Sequence, residues 1–393
     1  FYLSWIILVL GVGLLIIGRF LESIFSFKKS VNYYWLIPFA VALAAILMLA
    51  LPRANPAKTI LGRELPKEAL LDYKTSLLIT KKALVKNPIL GSGPATFAQD
   101  FSLYRPAEFN QNDYWQIRFD KSSSQFLEIL ATLGLPAWLS YFLIISLVIY
   151  INIILFVKYL KNENYNLITV IFTAFILLSA AQLFFSFNTV LNFSFWFLAA
   201  LAMAFCQNYN QSIFKEKTIN INKTVLFFRV WLLGLFFLGA LSLTLAGFAI
   251  KFFTAEVVAA IGSNSEVNLL LAAKLNPARA NYNISLAKFY LNQARFEAAK
   301  PAGKQDNNFI QSNISRAIEA GRLAVGAELN SVKAHETLAM IYRDVRPLTI
   351  GSEIWAEQFF KSAFNLEPTN PILAAELAKA YLNNNDTANA QKY

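Results

Sequence analysis

The sequence predicts an all-α protein, with a polytopic membrane helix bundle followed by a soluble α-solenoid. Three observations predict it. First, 56% of the 393 residues belong to the hydrophobic set and only 15% are charged, with a mean hydropathy of +0.44; an ordinary soluble domain carries about 25% charged residues. Second, six stretches are apolar for roughly the 20 residues that a helix needs to cross a bilayer: 2–18, 31–51, 135–157, 167–187, 190–206 and 224–252. Third, between residues 254 and 393 the composition turns to helix formers, with 14 Lys/Arg against 13 Asp/Glu, and a Leu-Ala-x-x-Tyr pattern recurs.

The first 252 residues form the expected membrane domain. Asn188 and Thr189 leave room only for a tight hairpin between the fourth and fifth spans. Three short connections carry Arg19, Lys28 and Lys29, then Lys158 and Lys161, then Lys215, Lys217 and Lys223, opposed only by Glu22, Glu163 and Glu216. Basic residues in short loops stay cytoplasmic, and these three connections fall on one side of a six-crossing alternation. The alternation puts the long loop 53–123 and everything after 252 outside the cytoplasm. That loop carries eleven basic residues, but loops of its length are exempt from the charge rule. Arg229, a turn inside the last span, is expected to snorkel to the cytoplasmic face. Phe1 opens directly into an apolar run with no Met and no basic segment before it, so the chain reads as a fragment of a longer protein. A single cysteine, Cys206, excludes an internal disulfide, and a single histidine, His335, excludes most histidine-ligated metals.

Residues 254–393 carry the recurring pattern. Leu286-Ala287, Leu338-Ala339 and Leu377-Ala378 are each followed at the same spacing by Tyr290, Tyr342 and Tyr381. Ala317, Gly321, Ala324 and Leu329 match Ala356, Phe360, Ala363 and Pro368 in spacing. These residues resemble the tetratricopeptide repeat, a 34-residue helix–turn–helix with small residues where its helices touch. With units beginning at Ala280, Val332 and Pro371, the first two are 52 and 39 residues long and carry insertions at 301–314 and 344–352, and the third is cut off at Tyr393. Such a stack offers a concave surface to a protein partner, or serves as a spacer. His335, on the first helix of the second unit, reads as a packed helix residue because no other ligand-type residue accompanies it at metal-site spacing.

The loop 53–123 is where chemistry is expected, since functional residues concentrate on loops held by a rigid scaffold. Its glycine cluster, Asn87-Pro88-Ile89-Leu90-Gly91-Ser92-Gly93-Pro94-Ala95-Thr96-Phe97, lacks the Gly-Lys-Ser/Thr ending of a phosphate loop. Gly91 and Gly93 read as a turn between elements stopped by Pro88 and Pro94. Ser122 with Gln125 fits a capping box opening the helix that runs to Gly134. No histidine in this loop is available to activate the neighbouring serines as nucleophiles.

The glycine motif, followed by a polar site, Leu127, Gly134 and a membrane helix, resembles the extracytoplasmic loop of the O-antigen ligase and O-antigen polymerase superfamily over about 69–149. The resemblance implies a C-type glycosyltransferase fold in the bacterial inner membrane. Such a protein would transfer a glycan from an undecaprenyl-pyrophosphate carrier to a hydroxyl of a glycan or lipid acceptor, without metal or nucleotide-sugar cofactor. In that family the helix after the loop opens with a histidine, and the matching position here is Ser123. A serine is too weak a base to take the acceptor proton. The nearest carboxylates, Asp120 and Glu128, are open to a catalytic or a structural reading. A diphosphate leaving group needs fixed positive charge, which a guanidinium fork supplies. Arg118, Lys121 and Ser123 therefore form the expected catalytic set. Arg105, Tyr114, Trp115, Gly91 and Gly93 form the expected substrate-binding set. Solvation of a surface loop is the alternative for the basic residues, and a wet membrane interface for the aromatic ones. Two further readings are a non-catalytic envelope scaffold that binds proteins through its repeats, and a glycan polymerase. Of the net charge of +11, +6 lies in the spans and short loops, +4 in the long loop and +1 in the repeats; the first share is a topology signal, and nucleic acid drops out as a partner.

Overall fold

The computed structural model describes residues 2–25, 36–50, 69–158, 165–209, 225–262, 265–301 and 303–393. It is all-α, with no strand among the described residues. The chain divides into two compact units: 1–101 with 117–217, and 102–116 with 218–393. The basic residues of the three short connections lie outside the residues whose side chains are described, as do Cys206 and the loop residues before 69.

In the first unit, helices α1 (Tyr2–Phe25) and α2 (Leu36–Ala50) are followed by α3 (Tyr73–Lys86), α4 (Phe97–Tyr104), α5 (Gln125–Lys158), α6 (Tyr165–Ala181) and α7 (Thr189–Tyr209). Asp72 starts α3 by accepting the Thr75 amide at 2.8 Å, which satisfies one of the amides that a helix start leaves unpaired. The hydrophobic core lies between α5, α6 and α7, where Ile145, Val148, Ile171, Phe175, Phe195 and Ala199 are buried and the Phe175 and Phe195 rings stack at 5.1 Å. Gly11 of α1 packs against Leu177, leaving no room for a side chain. Two features of this unit matter for the site. Helix α5 breaks at Gly134, whose φ of 79° and ψ of −179° are not helical. Helix α6 ends at Ala181, so residues 182–187, expected inside a span, form a turn before α7 that carries Gln182 and Ser186.

Beyond its 102–116 segment, the second unit continues with α8 (Val225–Ile261). Every described side chain on it from Phe228 to Thr254 is exposed. Among the described residues, two helices are long and apolar enough to cross a membrane, Gln125–Ile154 and Phe228–Ile261, and Ile6–Ile17, Thr169–Ala181 and Thr189–Ala204 are shorter apolar helices. After α8 come α9 (Glu266–Leu275), α10 (Ala280–Ala298), α11 (Asn307–Ala327), α12 (Val332–Asp344), α13 (Ser352–Leu366), α14 (Pro371–Asn383) and the short α15 (Thr387–Ala390). Ser265, Asp306, Asn370 and Asp386 cap the starts of α9, α11, α14 and α15. Helices α10, α12 and α14 start at residues 280, 332 and 371, where the periodicity set its unit starts. Leu286, Ala287, Tyr290, Leu338, Ala339, Tyr342, Leu377 and Tyr381 are all buried, as are Ala317, Ala324, Ala356, Phe360 and Ala363 on the helices between. Consecutive helices pack through these small residues, and Gly321 lets Leu338 approach closely.

Candidate functional site

The glycine motif docks on the break in α5. The Ser92 amide donates to Ala131 O at 3.0 Å, the Gly93 amide to Thr132 O at 2.8 Å, and the Leu135 amide to Pro88 O at 2.9 Å. These bonds satisfy carbonyls at the end of the first α5 segment and the amide that opens the next. The docking requires backbone-to-backbone approach. A Cβ on Gly91 would lie 2.4 Å from Thr132 C, and one on Gly134 would lie 2.3 Å from Ile89 O. Both glycines also have positive φ, +65° and +79°, where side chains are strained. Gly91 is buried, and its Cα faces the Thr132 backbone.

A second layer holds this turn to α4. Ser92 Oγ lies 2.5 Å from Asp100 Oδ2 and 2.6 Å from Thr96 Oγ1, and Thr96 Oγ1 donates to Gly93 O at 2.6 Å. Thr96 gives its proton to Gly93 O, and the Ser92 hydroxyl donates to the Asp100 carboxyl. Burial pushes the Asp100 carboxyl up to about 6, against smaller downward pulls from the Ser92 hydroxyl and the Lys86 charge. A raised carboxylate value makes the folded state bind the proton more tightly than the unfolded one. The stability from this group is therefore lost as pH rises from about 4 to about 6. Thermal melting of the detergent-solubilised chain across that range is expected to show a falling midpoint, and Asp100→Asn to flatten the fall; an unchanged slope in the variant would place the titration elsewhere.

The start of α5 is held by the 182–187 turn and by Ser76 of α3. Ser124 donates its hydroxyl to Gln182 O at 3.0 Å, and its carbonyl accepts the Glu128 amide at 3.0 Å. The expected capping box of Ser122 with Gln125 is not formed. Gln125 Oε1 instead accepts the Phe187 amide at 2.9 Å, and the Glu128 carboxylate accepts the Ser122 amide at 3.4 Å. Glu128 also accepts the Ser186 hydroxyl at 2.7 Å. Ser123 donates its amide to Ser76 Oγ at 3.0 Å, while its own hydroxyl is buried without a partner. Gln182 is wholly buried; its Oε1 accepts Tyr141 OH at 2.6 Å, and its Nε2 has no partner. Buried polar atoms are nearly always satisfied, so an orphaned hydroxyl and an orphaned amide in this one layer of polar residues are an unusual pair.

Of the expected catalytic residues, Ser123 stands in this polar layer, Lys121 is exposed two residues before it, and Arg118 is partly buried in the extended segment leading in. The substrate-binding set is divided. Gly91 and Gly93 belong to the docked turn, whereas Arg105, Tyr114 and Trp115 lie in the segment that groups with the second unit. Arg105 does not face solvent or a ligand, and its expected contact with a pyrophosphate is corrected. Its side chain is 1% exposed and pairs with the fully buried Glu367 at 3.4 Å. It also donates to Trp115 O at 2.7 Å, Asn110 Oδ1 at 3.1 Å and Thr369 Oγ1 at 3.3 Å. Tyr114 is 42% exposed. Gln182, Ser186 and Ser76 were not singled out from the sequence; the polar pair interrupting an apolar run, Gln182 and Ser186, was the available signal. His335 contacts Leu329 O at 2.9 Å and the Phe359 ring. Among the described residues no group of three or more His, Cys, Asp and Glu comes together as a metal would require.

No protein-family model matches this chain, and no curated protein sequence matches it. The functional reading therefore rests on the residues themselves.

Proposed function

We propose that the chain is a multi-span inner-membrane protein of the O-antigen ligase type, with its long loop and a tetratricopeptide-like solenoid outside the cytoplasm. It takes a glycan from undecaprenyl pyrophosphate and transfers it to an acceptor hydroxyl. The observation that carries this reading is the docking of the glycine motif on Gly134. The two halves of the motif behind the family resemblance meet through backbone bonds, and the polar layer at the start of α5 encloses Ser123 Oγ and Gln182 Nε2 without partners. Hydroxyl, amide and carboxylate groups in such a layer suit a polyhydroxylated sugar. Apolar α8 and the hydrophobic faces of α5, α6 and α7 support membrane insertion. The coincidence of helix starts with the 280, 332 and 371 registers supports the solenoid.

In this reading Arg118 and Lys121 supply positive charge to the departing pyrophosphate, where charge accumulates in the transition state. Glu128, held by Ser186 and the Ser122 amide, is a carboxylate of the polar layer. The scaffold reading keeps one observation in its favour, since Ser123 puts no titratable group at the position where the family has its histidine. Arg118→Ala in the full-length protein separates the two. Transfer of glycan to the cell surface is expected to fall by at least about 100-fold, the scale of losing one charge-stabilising donor, with the protein still present in membranes. Wild-type transfer by that variant would remove the assigned role.

A further inference from the structure

Helix α9 has two apolar faces, and only one is used inside the unit. Leu269 and Ala272 are 1% and 0% exposed, packed toward α8 and the helices that follow. On the opposite face Val267, Leu270 and Leu271 are 72%, 47% and 44% exposed, and Lys274 completes the i, i+3, i+4, i+7 stripe. This stripe is not scattered surface hydrophobicity, because its height along α8 is defined. Gly262 lies beside Asn268, and Ala255 packs with Ala272, so α9 runs back down α8 after the turn at Gly262. Ala255 is the first buried residue among the described side chains of α8, two positions beyond Phe253, which is 71% exposed. At about 1.5 Å per residue, Ala272 is within about 3 Å of the level of Phe253. The level is fixed by polar contacts as well. Glu256 accepts Tyr282 OH at 2.8 Å and pairs with Arg279 at 2.7 Å, tying the same turn of α8 to α10.

Resting on the reading of α8 as a membrane span, we infer that the C-terminal half of α9 dips into the headgroup zone of the bilayer. That zone is about 5–8 Å deep on each side of the hydrocarbon core. Leu270 and Leu271 stand at its depth, level with Val257 and Glu256 of α8, and Lys274 comes level with Phe253, from which its ammonium reaches outward to the lipid phosphates while its stem stays apolar. Lys251, exposed on the last turn of the span, adds a second cation at that level. The occupant of the face is thus the lipid surface, with a preference for anionic headgroups. The repeats would then meet the membrane twice, through α8 and through α9, which fixes how they stand on it.

The test uses the full chain, carrying Cys206→Ser, in nanodiscs of phosphatidylcholine and phosphatidylglycerol with brominated acyl chains. An environment-sensitive fluorophore is placed in turn at Leu243→Cys, Leu270→Cys, Leu271→Cys and Leu329→Cys. Strong quenching at Leu243, loss of most emission at Leu270 and Leu271, and none at Leu329 are expected, with Lys274→Glu weakening the signal at Leu271. Quenching at Leu243 but not at Leu270 or Leu271 would overturn the inference while leaving the span intact. No quenching at Leu243 would overturn the span reading and the inference together, and equal quenching at Leu329 would show a non-specific association that also overturns it.

Discussion

Gly134→Ala is expected to destabilise the first unit by about 3 kcal/mol or more, and Gly91→Ala by a similar amount. Two costs combine. A non-glycine residue in the backbone region of Gly134 costs of order 1–3 kcal/mol by itself. The added Cβ, 2.3 Å from Ile89 O, then forces the 88–93 turn off the helix break, because its neighbour is backbone and has no rotamer to change. Undocking would leave the Leu135 amide and the carbonyls of Ala131 and Thr132 without their partners, each at about 1–3 kcal/mol if buried. The two substitutions break one interface, so the double variant should lose little more than either single one. Thermal melting in detergent measures both. Melting temperatures equal to wild type for both variants would mean that the turn does not dock as described.

Glu367→Ala is expected to cost about 3–5 kcal/mol, the range for breaking a buried ion pair from one side. Both side chains are at most 1% exposed, so Arg105 would keep its charge without the Glu367 carboxylate. The surrounding acceptors, Trp115 O, Asn110 Oδ1 and Thr369 Oγ1, satisfy its N–H groups but not its charge. Asn370, which donates to Glu367 Oε2 at 3.0 Å, would lose an acceptor in the same step. Replacing both partners together, as Arg105→Met with Glu367→Leu, should recover much of the loss, because the desolvation of two charges is relieved at once. Chemical denaturation of the single and double variants checks this. A single-variant loss below about 1 kcal/mol would indicate a solvated pair.

The parts of the fold legible in the sequence were those set by local periodicity. The starts of α10, α12 and α14 follow from small and apolar residues at helical spacing, and the break at Gly134 from a glycine just before Pro136. The turn at Gly91 and Gly93 was legible as a turn, but not where it docks, since the contact with Thr132 joins residues far apart in the chain. The turn 182–187 was hidden because Leu183, Phe184 and Phe185 keep the hydropathy high while the backbone leaves the helix. Arg105 was misread for a related reason. A loop arginine followed by aromatic residues resembles a solvent-facing anion site, and one of its hydrogen-bond partners, Thr369, lies 264 residues away. The capping box at Ser122 and Gln125 satisfied the sequence rule, yet the Phe187 amide, brought in by α6 and α7, took the Gln125 side chain. Tertiary contacts decided each of these cases.

The central claim is that this chain consumes a lipid-linked glycan. Mass spectrometry of lipid extracts from cells that lack the protein tests it most directly. Accumulation of the undecaprenyl-pyrophosphate-linked glycan, reversed by the wild-type gene and not by Arg118→Ala, is the predicted result. An unchanged pool of that lipid, with the surface glycan intact, would contradict it.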